Sequence, residues 1–161
     1  MILGFLLARA GVDVLVLEKH ADFLRDFRGD TIHPSTLEIM HELGILDRFL
    51  KLPHQEARVL KAQFGGTAMT FADFTRLSTH CKFLAFMPQW DFLNFIAEQA
   101  ANYPAFHLWM NAEVTELFKE AGRVVGVRVS ASDGALEVRA NLVIGADGRG
   151  SVVRAKAGLK V

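Results

Sequence analysis

Leu3-Gly4-Phe5-Leu6-Leu7-Ala8-Arg9-Ala10-Gly11-Val12-Asp13-Val14-Leu15-Val16-Leu17-Glu18-Lys19 is the stretch that decides the fold class of this 161-residue chain. Residues 2 to 10 are the small and apolar side chains of a buried helix, and Gly11 stands where a glycine relieves strain at a helix C-terminus. Val12 to Leu17 is a β-branched and leucine run broken only by Asp13. Such a run suits a strand covered on both faces, as in a parallel sheet. A helix feeding a buried strand is the second half of a βαβ unit, so an α/β fold is expected, with the unit's first strand outside the sequence.

Residues 19 to 33 are polar and irregular. Pro34 starts a helix that runs through Leu37, Met40 and Leu43 to Gly44, and a short helix follows over Ile45 to Leu50, before Pro53. Residues 57 to 87 alternate around Gly65-Gly66 and read as strands. Gln89 to Ala101 is amphipathic, with Phe92, Phe95, Ile96 and Ala100 at helical spacing. From Phe106 the pattern turns to β. Val114 to Phe118, Val124 to Val129 and Leu136 to Val138 are separated by Ala121-Gly122 and by the hairpin pair Asp133-Gly134. Leu142 to Gly145 reads as a further buried strand, leading to Gly148, Gly150 and a helical start at Ser151.

Composition narrows the function classes. Half the residues are apolar (51%) and 22% are charged, as in an ordinary globular domain. Eighteen basic side chains balance eighteen acidic ones, which gives no electrostatic case for nucleic acid or an anionic membrane. No window reaches the length of a membrane span. Cys81 is the only cysteine, so an internal disulfide and a cysteine-rich metal site are excluded, and a reducing, cytoplasmic location is expected. The six histidines show no metal-ligand spacing on one helix.

Four constellations carry candidate chemistry. Glu18 ends a buried strand after a helix, where a carboxylate can accept both hydroxyls of a nucleotide ribose; a strand-end carboxylate in solvent fits equally well. Gly145-Ala146-Asp147-Gly148-Arg149-Gly150-Ser151 puts three glycines in six residues, allowing backbone approach to a ligand, with Ser151 as a cap. Backbone N–H groups at the following helix suit a phosphate. Arg154, one turn in, can face an anion or pair with Asp147, and a plain capped glycine turn is the bland alternative. Arg28, in Arg28-Gly29-Asp30, can grip a pyrophosphate in a bidentate manner or simply be solvated. The amide of Gln89 can donate to a ribityl or phosphate oxygen, or lie on the surface.

The order of these features resembles one family. Leu3 to Lys19 looks like the helix and second strand of an FAD-binding unit. Arg28-Gly29-Asp30-Thr31-Ile32-His33-Pro34 resembles the arginine loop of the para-hydroxybenzoate-hydroxylase-like flavoprotein monooxygenases. Met87-Pro88-Gln89-Trp90-Asp91 is similar to their second flavin-contacting helix start, and Leu142 to Arg154 to their Asp-Gly motif. The resemblance implies an FAD-binding Rossmann-like three-layer α/β fold, incomplete, with a β-meander and the first strands of a substrate-domain sheet. Residues 1–161 would be a partial FAD-binding domain lacking its Gly-x-Gly-x-x-Gly loop, with 57–87 opening an interleaved substrate domain. Glu18, with Lys19 beside it, would hold the adenosine ribose, and Arg28 and Gln89 the pyrophosphate and ribityl region. Val114 would pass its backbone by the adenine, while Asp147, Gly148 and Arg154 organise the motif near the pyrophosphate. It further implies FAD, NAD(P)H as co-substrate, O2, a small aromatic substrate and transfer of oxygen from a flavin C4a-hydroperoxide, with no catalytic side chain named. A halogenase or reductase on the same scaffold, or a truncated inactive product, is the alternative.

Overall fold

A computed structural model of the chain describes residues 1–24, 30–131 and 134–160. In chain order the elements are α1 (Ile2–Arg9), β1 (Val14–Leu17), β2 (Thr31–Ile32), α2 (Pro34–Glu42), α3 (Leu46–Phe49), β3 (Gln55–Ala57), β4 (Val59–Phe64) and β5 (Thr67–Asp73). They continue with β6 (Leu84–Phe86), α4 (Gln89–Ala100), β7 (Phe106–Trp109), β8 (Glu113–Glu120), β9 (Arg123–Ala131), β10 (Gly134–Arg139) and α5 (Val152–Ala157). They form two units, Met1–Asp22 with Ala100–Val161, and Phe23–Gln99.

In the first unit β1 pairs with β7 in parallel, with Val14 opposite Phe106 and Leu17 opposite Trp109. The α1 helix covers this pair closely. A Cβ on Gly4 would stand 2.6 Å from Val16 Cγ2 and 3.2 Å from the Phe106 ring, so only glycine lets the helix approach. Gly11 ends the helix with φ +79, as the sequence predicts. β8, β9 and β10 form an antiparallel meander in the order β10-β9-β8. Its first turn, Ala121-Gly122, has both residues at positive φ (48 and 79), the backbone of a tight hairpin turn. The expected turn at Asp133-Gly134 lies partly outside the described residues, although Gly134 pairs with Ala131 beside it. Ala112, Val127 and Val129 form a buried cluster against which Leu17, Val114, Leu117, Val138 and Val143 pack.

The second unit gathers α2, α3 and α4 around Phe49, whose ring lies 5.2 Å from Phe95 and 6.0 Å from Phe92. β2, β6 and β3 make a small antiparallel sheet in which Thr31, Phe86 and Gln55 stand side by side. β4 and β5 form a hairpin through Gly65-Gly66, as the alternation predicts, and leave Phe64, Met69 and Phe71 exposed. Cys81 is buried; burial pushes its thiol pKa up, and Glu56 and Glu38 push the same way.

Three expectations are corrected. Leu142 to Gly145 forms no strand, and Leu142 and Ile144 are exposed. A strand-like composition becomes a strand only where a neighbour supplies the ladder, and no described strand pairs with this stretch. β1 is half-buried rather than covered on both faces, and Val12 before it is exposed. Within the irregular stretch 19 to 33, Thr31–Ile32 forms a short strand because β6 pairs with it.

Gly126 on β9 tests the meander. A Cβ there would meet Val138 O at 2.3 Å and Arg139 Cα at 3.0 Å, both backbone atoms. Gly126→Ala is therefore expected to lower stability by about 1–3 kcal/mol, the usual cost of forced overpacking, read as the urea midpoint of the far-UV dichroism. Stability equal to the parent chain would refute that close approach.

Candidate functional site

The Asp147 turn is built from short-range constraints. Gly145 must lack a side chain, since a Cβ there would lie 2.7 Å from Val153 Cβ. Gly148 takes φ +78, with nothing within 4 Å of the place a Cβ would occupy. One face of the backbone is thus open at Gly148, and a planar or phosphate group can lie against it. The Asp147 carboxylate is engaged with the start of the following helix. It accepts from the Ser151 hydroxyl and from Val153 N at 3.2 Å, while Ser151 Oγ accepts from Arg154 N at 2.9 Å. These contacts take two of the helix-start N–H groups that the sequence offered to a phosphate. Arg154 does not pair with Asp147; its guanidinium donates to the Arg149 carbonyl. Burial alone would raise the Asp147 pKa, but Ser151 and the backbone N–H groups of Val153 and Val152 outweigh it, so the carboxyl sits below its ordinary value.

Glu18 lies at the end of β1, half-buried, with Oε1 accepting from His20 N at 3.0 Å. Its backbone closes onto the opposite strand: Glu18 N donates to Trp109 O, and Ala112 N donates to Glu18 O, both at 2.9 Å. Asn111 N donates to His20 O in the same turn. Lys19 is exposed beside it. Two residues beyond Ala112, Val114 enters β8 opposite Val129. Glu18, Lys19 and Val114 therefore lie at one corner of the first unit. The Asp147 turn belongs to that unit too, since Leu17 and Val143 pack on one cluster. Lys156 of α5 pairs with Glu116 of β8 and fixes the helix over the meander.

The second unit holds the remaining candidates. Arg28 lies outside the described residues. Gln89 opens α4, and its N–H donates to Asp30 Oδ1 at 3.4 Å, while Met87 N donates to Asp30 O at 2.9 Å. Asp30 thus ties the segment leading into β2 to the Met87-Pro88-Gln89 turn, a link the sequence reading did not find. Beside it is a cleft of about 660 Å³, walled by Pro53, Phe86, Met87 and Pro88, with Asp30, Thr31, His54 and Gln55 as its polar lining. Among the described residues no group of three or more histidine, cysteine or acidic side chains is arranged to hold a metal.

The FAD binding domain family matches residues 1–161, the whole chain. The chain belongs to that family. Among named relatives, 6-methylpretetramide 4-monooxygenase of Streptomyces rimosus is 30% identical over 157 residues, covering 98% of this chain and 38% of the relative. Rifampicin monooxygenase of Streptomyces venezuelae is 33% identical over 144 residues, covering 89% of this chain and 28% of the relative. The crystal structure of p-nitrophenol 4-monooxygenase from Pseudomonas putida superposes with a TM-score of 0.85 at 26% identity, over 98% of this chain and 40% of that one. This FAD binding domain thus spans well under half the length of the proteins it resembles. Its α/β architecture is theirs.

Ser151→Ala removes both the cap and a partner of Asp147, and is expected to cost about 1 kcal/mol in urea unfolding. A carboxylate with a lowered native pKa stabilises fully above its ordinary value of 3.8 and loses that stabilisation as pH falls through the native value. The parent chain should therefore lose more stability on acidification through that window than Ser151→Ala does. Equal losses would show that the hydroxyl does not hold the carboxylate down.

Proposed function

We propose that this chain holds FAD within a monooxygenase that hydroxylates a small aromatic substrate, with NAD(P)H as reductant and O2 as oxidant. The Asp147 turn carries the reading: an open glycine backbone beside a carboxylate bonded to the start of the following helix, in a chain matched end to end by an FAD binding domain family. The monooxygenase names of the relatives support the reaction type.

Glu18 would accept hydrogen bonds from the adenosine ribose, with Lys19 alongside and the Val114 backbone beside the adenine. Gly148 offers backbone to the pyrophosphate region, while Asp147 and Arg154 hold that backbone in shape. Gln89 and Arg28 remain proposed contacts to the ribityl and pyrophosphate groups. Bound flavin would supply the redox chemistry, and the protein's part is to bind, orient and exclude water. Residues 57–87 are proposed as the opening of a substrate domain. A cytoplasmic location is proposed from the single cysteine, and no described helix is long and apolar enough to cross a membrane. Another flavoenzyme on the same scaffold, a halogenase or a reductase, is the second reading, because a cofactor-holding segment reports the cofactor more directly than the reaction.

Calorimetric titration with FAD and with FMN tests the cofactor assignment. FAD should bind more tightly than FMN, which lacks the adenosine, and Glu18→Ala should remove about tenfold of FAD affinity, the worth of a hydrogen bond to a charged group. Equal affinity for the two flavins would overturn it. Isotopically labelled O2 separates the reactions: a monooxygenase leaves one labelled atom in the product, and a halogenase or reductase leaves none.

A further inference from the structure

Between β5 and β6 the chain runs from residue 74 to residue 83 without helix or strand. No described strand pairs with this stretch, and it is fastened to α2 at His80. There the backbone N–H donates to Glu38 Oε2 at 2.6 Å. The imidazole lies on that of His41, with 3.9 Å between ring centroids and 14° between planes. Glu38 and His41 stand three positions apart on α2, so both grips come from one face of that helix. Cys81, the next residue, is buried, whereas both histidines are exposed. Water and protons therefore reach the two rings freely, while the residue beside them is packed away.

A face-to-face pair of imidazoles tolerates one added charge but not two. Two neutral rings attract as aromatic partners, and a neutral ring with a protonated one attracts as a cation–π pair. Two imidazolium rings repel. The neighbours offset one charge only. Glu38 is the carboxylate bonded at the pair, and it also pushes up the pKa of the Cys81 thiol together with Glu56 of β3, with Arg58 acting against them. Glu42 and Lys82, the charged neighbours in sequence, are exposed and opposite in sign. Histidine is the side chain that ordinarily changes charge between pH 5 and 8. We propose that the His41–His80 stack is a pH-sensitive clasp, which holds residues 74–83 on α2 near neutral pH and loosens when both rings take up a proton from solvent. Two unit charges about 4 Å apart in water shift an equilibrium by about fivefold, which sets the size of the effect. The device lies within the second unit and does not rest on the flavin reading.

Hydrogen–deuterium exchange of the full chain, read by mass spectrometry on its peptides, tests the clasp at about pH 7.5 and 5.0, on either side of the histidine range. Labelling times are scaled to the intrinsic exchange rate at each pH, so the chemistry of exchange cancels. Exchange over residues 74–83 should then be about fivefold faster at the lower pH. Peptides of β8 and β9 should change little, which separates local release from global opening. His41→Phe keeps a ring against His80 but takes up no proton, so it should hold the parent's neutral-pH rate at both values. His80→Gln keeps the backbone N–H for Glu38 and should likewise lose the pH dependence. Salt at about 1 M screens exposed charges to about 3 Å and should cut the rise in the parent chain below about twofold. No acceleration in the parent chain overturns the proposal. An acceleration that survives in His41→Phe, persists undiminished in high salt, or extends equally to β8 and β9 overturns it as well, because Glu38 or global unfolding would then be its source.

Discussion

The Ala112–Val127–Val129 cluster is the constraint on which the first unit depends. Three segments distant in sequence reach the same buried patch: Leu17 at the end of β1, Val114 at the start of β8, and Val143 before the Asp147 turn. Each carries a candidate cofactor residue within four positions of its anchor. Hydrophobic packing is non-directional, but close packing is not forgiving, so seating these apolar side chains also fixes the polar neighbours that follow them. Glu18 needs no rigidity of its own, because Leu17 is packed and the backbone at residue 18 is bonded on both sides, to Trp109 and Ala112.

The second unit solves a similar positioning problem with a polar link. Asp30 uses its carbonyl for Met87 and its carboxylate for Gln89. One residue thereby joins two motifs lying 59 positions apart in sequence. The small sheet brings β3 alongside, and with it Pro53 and His54. Side-chain bonds of this kind are short in range and steep in geometry.

The legible parts of the sequence were those whose causes are local. Gly11, Pro34 and Gly44 punctuate helices through backbone preferences of one residue, and α1, α2 and α4 follow within a residue or two of the periodic pattern. The Gly65-Gly66 and Ala121-Gly122 turns were legible for the same reason. Strands fared less well, because a strand is a relation between two segments. Thr31–Ile32 is too short to show a period and exists through β6, while Leu142 to Gly145 has strand composition and no ladder. At the site, the glycine spacing and the Ser151 cap were readable. The Asp30 link and the turn of Arg154 toward Arg149 were not, since both depend on tertiary direction rather than on residue type.

Cys81 has a consequence of a different kind. The chain has no other thiol, and this one, on the segment that leads from β5 into β6, is buried and has a raised pKa. A thiol so placed reacts only when its surroundings open. The molecule therefore carries an internal clock: the rate at which a thiol reagent consumes it reports how often that part of the unit breathes, with no label added.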